Sequence, residues 1–337
     1  MKKVLAIVLA LAMILGLAAC GSQPAAPAAP AAPAPEKTEE PAPAAEKYLV
    51  GVCQLVAHPA LDAATQGFQD AIVEALGADA VEFDIQVASG DFTTCSTVVN
   101  GLISEGCDLI LANATAALQA AASATSDIPV LGTSITDYAT ALEIDNWTGT
   151  VGGNVSGTSD LAPLSEQAAM IKEWFPEAQN VGLVFCSAEP NSKYQVTVVA
   201  EELAKMGINT TEFAFTDSND ISAVVTAACA ASDVIYVPTD NTAANNTESI
   251  ANIVEPAGIP VIAGEEGICS GCGVATLSIS YYDLGVATGK MAVKILQGAD
   301  VSTMPVEFAP QVTKKYNAAM VEKLGIEIPS DEYVVIE

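Results

Sequence analysis

One imidazole, His58, and twelve basic residues that are all Lys set the chemical options of this chain. A serine hydrolase needs a base beside its nucleophile, and no Gly-x-Ser-x-Gly elbow accompanies His58, so the sequence points to no enzyme. Cys269-Ser-Gly-Cys272 has the spacing of metal ligands or of a disulfide. Zinc takes about four ligands and the only His lies far away, so a structural or disulfide role is expected, with no metal and no cofactor. Binding chemistry is better supplied. Without Arg, a carboxylate ligand must be held by backbone N–H groups, hydroxyls or Lys. Thr115 and Ala116 open a helix whose positive end can take it, with Thr133 and Ser134 as hydroxyl donors. Asp240 could pair with an ammonium, and Glu266 competes for that role, because Glu265 and Glu266 cannot both face an enclosed cleft cheaply. Asn191 and Ser192 could donate to a ligand or cap their helix, and Gln54 and His58 could offer a stacking surface. Each has a plain structural alternative: a helix cap for Thr115, an Asx turn or cap for Asp240, a helix entry for His58-Pro59. Ser156, Thr158, Ser159 and Asp160 read as shaping a crossover rather than binding.

Positioning these groups requires an α/β framework. Short β-branched runs alternate with helix-period runs from Tyr48 onward, as in parallel α/β layers. Tyr48 to Gln54 reads as the first strand. Pro59 then opens a helix with Leu61, Ala64, Phe68, Ile72 and Ala75 on one face. Strands follow at Val81 to Val87, Asp108 to Ala112 and Ile128 to Leu131, with helices at Thr93 to Ser104 and Ala116 to Ala124. A second round starts after Pro163. It has strands at Asn180 to Cys186, Thr211 to Phe215, Asp233 to Val237 and Ile259 to Ala263, and helices at Ser165 to Phe175, Asn191 to Met206, Ile221 to Ala230 and within Thr242 to Pro256. The closing stretch has strands at Val274 to Ser280 and Val306 to Thr313, and helices at Tyr282 to Leu296 and Asn317 to Leu324. Two rounds predict two doubly wound parallel-sheet lobes. Ligands of such sheets bind beyond the strand carboxyl ends, which here are the polar ends.

The start of the chain carries an address. Lys2 and Lys3 precede an apolar run of 14 residues, Val4 to Leu17, short of the ~20 residues of a spanning helix. Leu17-Ala-Ala-Cys20-Gly resembles the lipobox of bacterial lipoproteins, which implies cleavage after residue 19 and a lipid on Cys20. The Ala/Pro/Glu-rich residues up to 47 cannot form a core and are expected to tether the body. Removing Lys2 and Lys3 leaves ten Lys against 41 acids, a formal charge of −31. A protein this acidic cannot displace the counterions of nucleic acid.

Longer motifs connect these readings. They are Gln54-Leu-Val-Ala-His58-Pro-Ala-Leu-Asp62, Asn154-Val-Ser-Gly-Thr-Ser-Asp160-Leu, Glu189-Pro-Asn-Ser192, Tyr236-Val-Pro-Thr-Asp-Asn241, Pro260-Val-Ile-Ala-Gly-Glu-Glu-Gly267 and Ala275-Thr-Leu-Ser-Ile-Ser-Tyr-Tyr-Asp-Leu-Gly285. At these residues the chain resembles the ABC-type substrate-binding lipoprotein family that includes tryptophan- and tyrosine-binding proteins. The resemblance spans about Tyr48 to Glu337. It implies a type I periplasmic-binding fold with crossovers near Ser156 to Pro163, Thr276 to Tyr281 and Ala309 to Thr313. One lobe would hold residues 48–160 and 277–309, the other residues 161–276 and 310–337. It further implies a monomeric receptor, lipid-anchored on the extracytoplasmic face of the cell membrane, that closes on an aromatic amino acid and delivers it to an ABC permease and its ATPase. The ligand carboxylate is expected at Thr115, Thr133 and Ser134, the ammonium at Asp240, and the ring near Gln54 and His58. A nucleoside or other small polar solute, or a sensor module that signals to a membrane receptor, are the alternatives that the sequence leaves open.

Overall fold

The computed structural model describes residues 47–309 and 311–336. The signal segment, Cys20 and the tether up to residue 46 lie outside the described residues, as do Pro310 and Glu337. The first round forms β1 (Tyr48–Gln54), α1 (Pro59–Leu76), β2 (Val81–Val87), α2 (Phe92–Glu105), β3 (Leu109–Asn113), α3 (Thr115–Ala124), β4 (Val130–Ile135), α4 (Tyr138–Ala141) and β5 (Val155–Ser159). The second forms α5 (Leu164–Trp174), β6 (Asn180–Cys186), α6 (Pro190–Lys205), β7 (Asn209–Phe215), α7 (Ile221–Ala231), β8 (Val234–Val237), α8 (Asn241–Ala244), α9 (Thr247–Ala257), β9 (Val261–Ala263), α10 (Glu266–Cys272) and β10 (Ala275–Ile279). The chain ends with α11 (Tyr281–Leu296), β11 (Glu307–Phe308), β12 (Val312–Tyr316), α12 (Ala318–Leu324) and β13 (Val334–Val335).

Two sheets result. The first has the order β11-β5-β4-β3-β1-β2 and is parallel throughout. The second has the order β13-β12-β10-β9-β8-β6-β7, and its β10–β12 pair is antiparallel. The strand order therefore reverses beside β1 in one sheet and beside β6 in the other, and the crevices for ligands open at these switch points. Pro at the first turn starts both α1 and α6, where its missing N–H costs nothing. The apolar stripe of α1 is buried at Leu61, Ala64, Phe68 and Ile72, each large side chain contributing about 1.5–3 kcal/mol. Ala75, expected on that stripe, is exposed.

The chain crosses between the sheets three times. After β5 it enters α5 of the second lobe, and after β10 it returns as α11, which lies on α1. Their backbones touch because Gly67 and Gly285 lack side chains: a Cβ at either would collide with the carbonyl of Tyr282 or Ala64. β10 pairs with β9 at Ala275 and Thr276 and with β12 through Ile279, so residues 277–279 stand in the second sheet and the return follows at Ser280, within the stretch expected for this crossover. The single strand expected over Val306 to Thr313 is two: β11 joins β5, and β12 joins β10. The expected helix from Thr242 to Pro256 breaks at Asn245 and Asn246. β5, read from sequence as part of a crossover, completes a strand ladder in spite of Gly157, and Glu266–Cys272 forms a helix in spite of Gly267 and Gly271. All seven described cysteines are free thiols, and six of them are buried.

Candidate ligand site between the lobes

At the first switch point, β1 delivers His58 and Leu61 at the start of α1. The carboxyl end of β4 delivers Ser134 and Thr136. A register shift between Gly132 and Ile135 puts Ser134 in a left-handed conformation with φ of 57°. Such a bulge re-aims a side chain, and a left-handed non-glycine residue is a strained position of the sort functional sites hold. From the second lobe, α6 presents Asn191, β8 is followed by Thr239, Asp240 and Asn241, and β9 by Glu265. Asp160 comes from the first crossover and Tyr281 from the start of α11, just after the second. These side chains, with Ala244, line one nearly filled cavity of about 10 Å³, room for about one water molecule while the lobes are closed.

Hydrogen bonds close the lobes over it. His58 Nε2 lies 3.2 Å from Asn241 Oδ1. Asn241 Nδ2 is committed to Glu189 at 2.7 Å, which turns the amide oxygen toward His58 and makes Nε2 the donor. Gln195 donates to Thr136 across the cleft at 3.3 Å and also to Thr239. Burial lowers the His58 pKa against the opposing effects of Asn241, Glu189 and Asp62, so the ring stays neutral at pH 7.

The acids of the second rim are helix caps. Asp240 accepts from Ala243 N at 2.8 Å and from Cys186 N at 2.6 Å. Glu265 accepts from Gly267 N at 2.6 Å and from Ile268 N. Glu189 takes the N–H groups of Asn241 and Thr242 at 2.9 and 2.8 Å. Burial pushes Asp240 up to about 8, helped by the charge of Glu189, while the two backbone N–H groups and Ser192 hold it back. Burial likewise lifts Glu265 to about 7. Asp160 is different. Tyr281 donates to its Oδ2 at 2.9 Å, and its buried Oδ1 has no partner. Its carboxyl is raised by burial, with the hydroxyls of Tyr281 and of nearby Thr136 acting against the rise. The buried hydroxyl of Ser134 also lacks a partner.

Of the residues singled out from sequence, His58, Ser134, Asn191 and Asp240 line this cavity together. The others stand elsewhere. Gln54 ties β1 to α1 through Val56, Asp62 and Thr65. Thr133 is held in a hydroxyl cluster with Thr158 and Thr288, which joins β4, β5 and α11. Thr115 is buried at the start of α3, and Ala116 lines the outer mouth of the cleft with Phe92, Gln119 and Pro190. Ser192 sits behind Asn191, whose amide it accepts at 3.3 Å. Glu266 pairs with Lys315 at 2.6 Å, away from the cavity, while its neighbour Glu265 faces in. Asp160, Tyr281, Thr136, Thr239 and Asn241 were not singled out as binding residues. For Asp160 the available signal was the strand before it, which Gly157 disguised.

A family model described as ABC transporter substrate binding protein matches residues 49–335. The tyrosine-binding protein of Clostridioides difficile (strain R20291) is 33% identical over 259 residues, covering 76% of this chain and 75% of that protein. A solved domain from Streptococcus pneumoniae in complex with L-tryptophan is 34% identical. It superposes with a TM-score of 0.82 over 86% of this chain and 100% of its own. The ligand-free, open structure of a substrate-binding protein from Clostridium difficile is 36% identical, with a TM-score of 0.66 over 86% and 100%. The two-lobed architecture is thus the type I periplasmic-binding fold. On the extent of these matches, this chain belongs to the ABC transporter substrate-binding protein family.

Proposed function

We propose that this protein is an extracytoplasmic receptor, lipid-anchored through Cys20, that captures an aromatic amino acid by closing its lobes and hands it to an ABC permease and its ATPase. The observation that carries the reading is the cavity: both lobes wall it, it holds buried carboxyls, and its only imidazole is neutral. Such a place favours a ligand that brings its own positive charge. The N-terminus of α1 has no side-chain cap and opens on the same cavity, an anion-friendly end suited to the ligand carboxylate. Leu61, Ala244 and the faces of His58 and Tyr281 give a ring its apolar contacts. The better superposition on the tryptophan-bound relative than on the open one, at nearly equal identity, supports capture by closure.

Titration calorimetry with L-tryptophan, L-tyrosine, L-phenylalanine, their amides and adenosine tests the reading. Binding of at least one free amino acid, about tenfold tighter than its amide, is the expected result. Equal binding of acid and amide, or preference for adenosine, would refute it.

A further inference from the structure

Four acids lie at or behind the cavity, and three have both carboxylate oxygens engaged. Asp240 and Glu265 each accept two backbone N–H groups, and Glu189 caps α8 with both oxygens. Asp160 alone keeps an oxygen free. It is 5% exposed, Oδ1 has no partner, and none of the ion pairs among the described residues involves it. The phenol of Tyr281 fixes Oδ2 and so sets the orientation of the group. Ser134, 7% exposed, brings a second unpartnered oxygen to the same cavity. A buried carboxylate oxygen without a donor is costly, and the donor it lacks is one a ligand can supply.

We propose that Asp160, not Asp240, seats the ligand ammonium, and that Tyr281 carries this contact to the hinge. The position supports both halves. Asp160 follows β5 in the first crossover, and Tyr281 opens α11 just after the second. An ammonium on Asp160 is therefore held by a pair that spans two of the three connections between the lobes, whereas Asp240 is an architectural cap.

The inference rests on the proposed function only in requiring an amine-bearing ligand, and its test separates the two. Calorimetry compares the wild type with Asp160→Asn, Asp240→Asn and Tyr281→Phe. The ligands are a panel of L-amino acids and, for the aromatic ones, their deaminated acids such as indole-3-propionate and 3-(4-hydroxyphenyl)propionate. Asp160→Asn should weaken the amino acid at least about tenfold and leave the deaminated acid unchanged, so that the preference for the amine collapses. Tyr281→Phe should weaken it by a few fold, and Asp240→Asn should keep the preference. A wild-type preference for a non-aromatic amino acid overturns the aromatic reading, and the Asp160 effect is then read on that ligand. Retention of the amine preference by Asp160→Asn, or a wild type that binds no amine-bearing solute, overturns the inference.

Discussion

The two rims of the cleft are both polar but handle their polar groups in opposite ways. The second-lobe rim closes on itself: Asp240 and Glu189 cap α8 and Glu265 caps α10, so its acids are occupied before any ligand arrives. The first-lobe rim and its crossover leave groups open, namely the uncapped start of α1, the Ser134 hydroxyl and Asp160 Oδ1. Number of acids is therefore a poor guide to binding capacity. What distinguishes a site from a scaffold is the unmet hydrogen bond.

Asp240→Asn tests the scaffold side and should give the largest effect on stability. The amide can accept from only one of Cys186 N and Ala243 N, and the other N–H is left buried and unmet at a cost of about 1–3 kcal/mol. Removing a desolvated charge offsets part of this. Thermal unfolding at pH 8 should show a clear drop in Tm for Asp240→Asn and none for Asp160→Asn, which strands no backbone donor. A drop for Asp160→Asn alone would reverse the assignment of the two acids.

The contrast also sets a pH dependence. Asp240 and Glu265 have folded-state pKa values of about 8 and about 7, above their ordinary values. The stability they confer is complete below their unfolded values near ~4 and is lost as pH rises through ~7 to ~8. The exposed cap acids Asp91 and Asp300 are shifted down, so their contribution is present above ~4 and lost in acid. Ligand-free protein should then be most stable at mildly acidic pH, about 5, and lose Tm toward pH 8. A bound ammonium offsets the cavity's negative charge and should flatten that decline. A Tm that climbs steadily to pH 8 would show that the second-rim acids are not desolvated as the closed cavity requires.

Much of this architecture was legible in the sequence because it follows from periodicity and turn chemistry. Pro59 and Pro190 mark helix starts, the runs at Leu109 to Ala112 and Val181 to Cys186 are buried strands, and the polar strand ends gather at one cleft. What the sequence hid depends on long-range pairing. Glycines masked β5 and α10, and the crossover point could not be placed to the residue without knowing that β10 pairs with β12. At the site, residue type revealed which side chains were polar but not which were satisfied. Thr133 and Ser134 are adjacent hydroxyls; one is bonded to Thr158 and the other, turned by the bulge, is open. Local sequence carries no record of that difference.

Glu265 and Glu266 give the same comparison at its smallest scale. Two identical side chains follow β9, yet one enters the cavity as the cap of α10 and the other reaches Lys315 at the surface. The direction is set by the helix start: the cap position turns its carboxylate back onto the first free N–H groups, and the next residue must project outward. The Glu266–Lys315 pair is partly solvated, with side-chain exposures of 33% and 29%, and pairs of this kind contribute about 0.2–1 kcal/mol. Glu266→Gln should therefore lower stability by less than about 1 kcal/mol and leave ligand affinity within twofold of wild type. Because screening weakens such a pair, the stability difference should shrink further in ~1 M salt. Calorimetry and denaturant unfolding on Glu266→Gln measure both quantities. A large loss of affinity would place Glu266, rather than Glu265, among the groups that face the ligand.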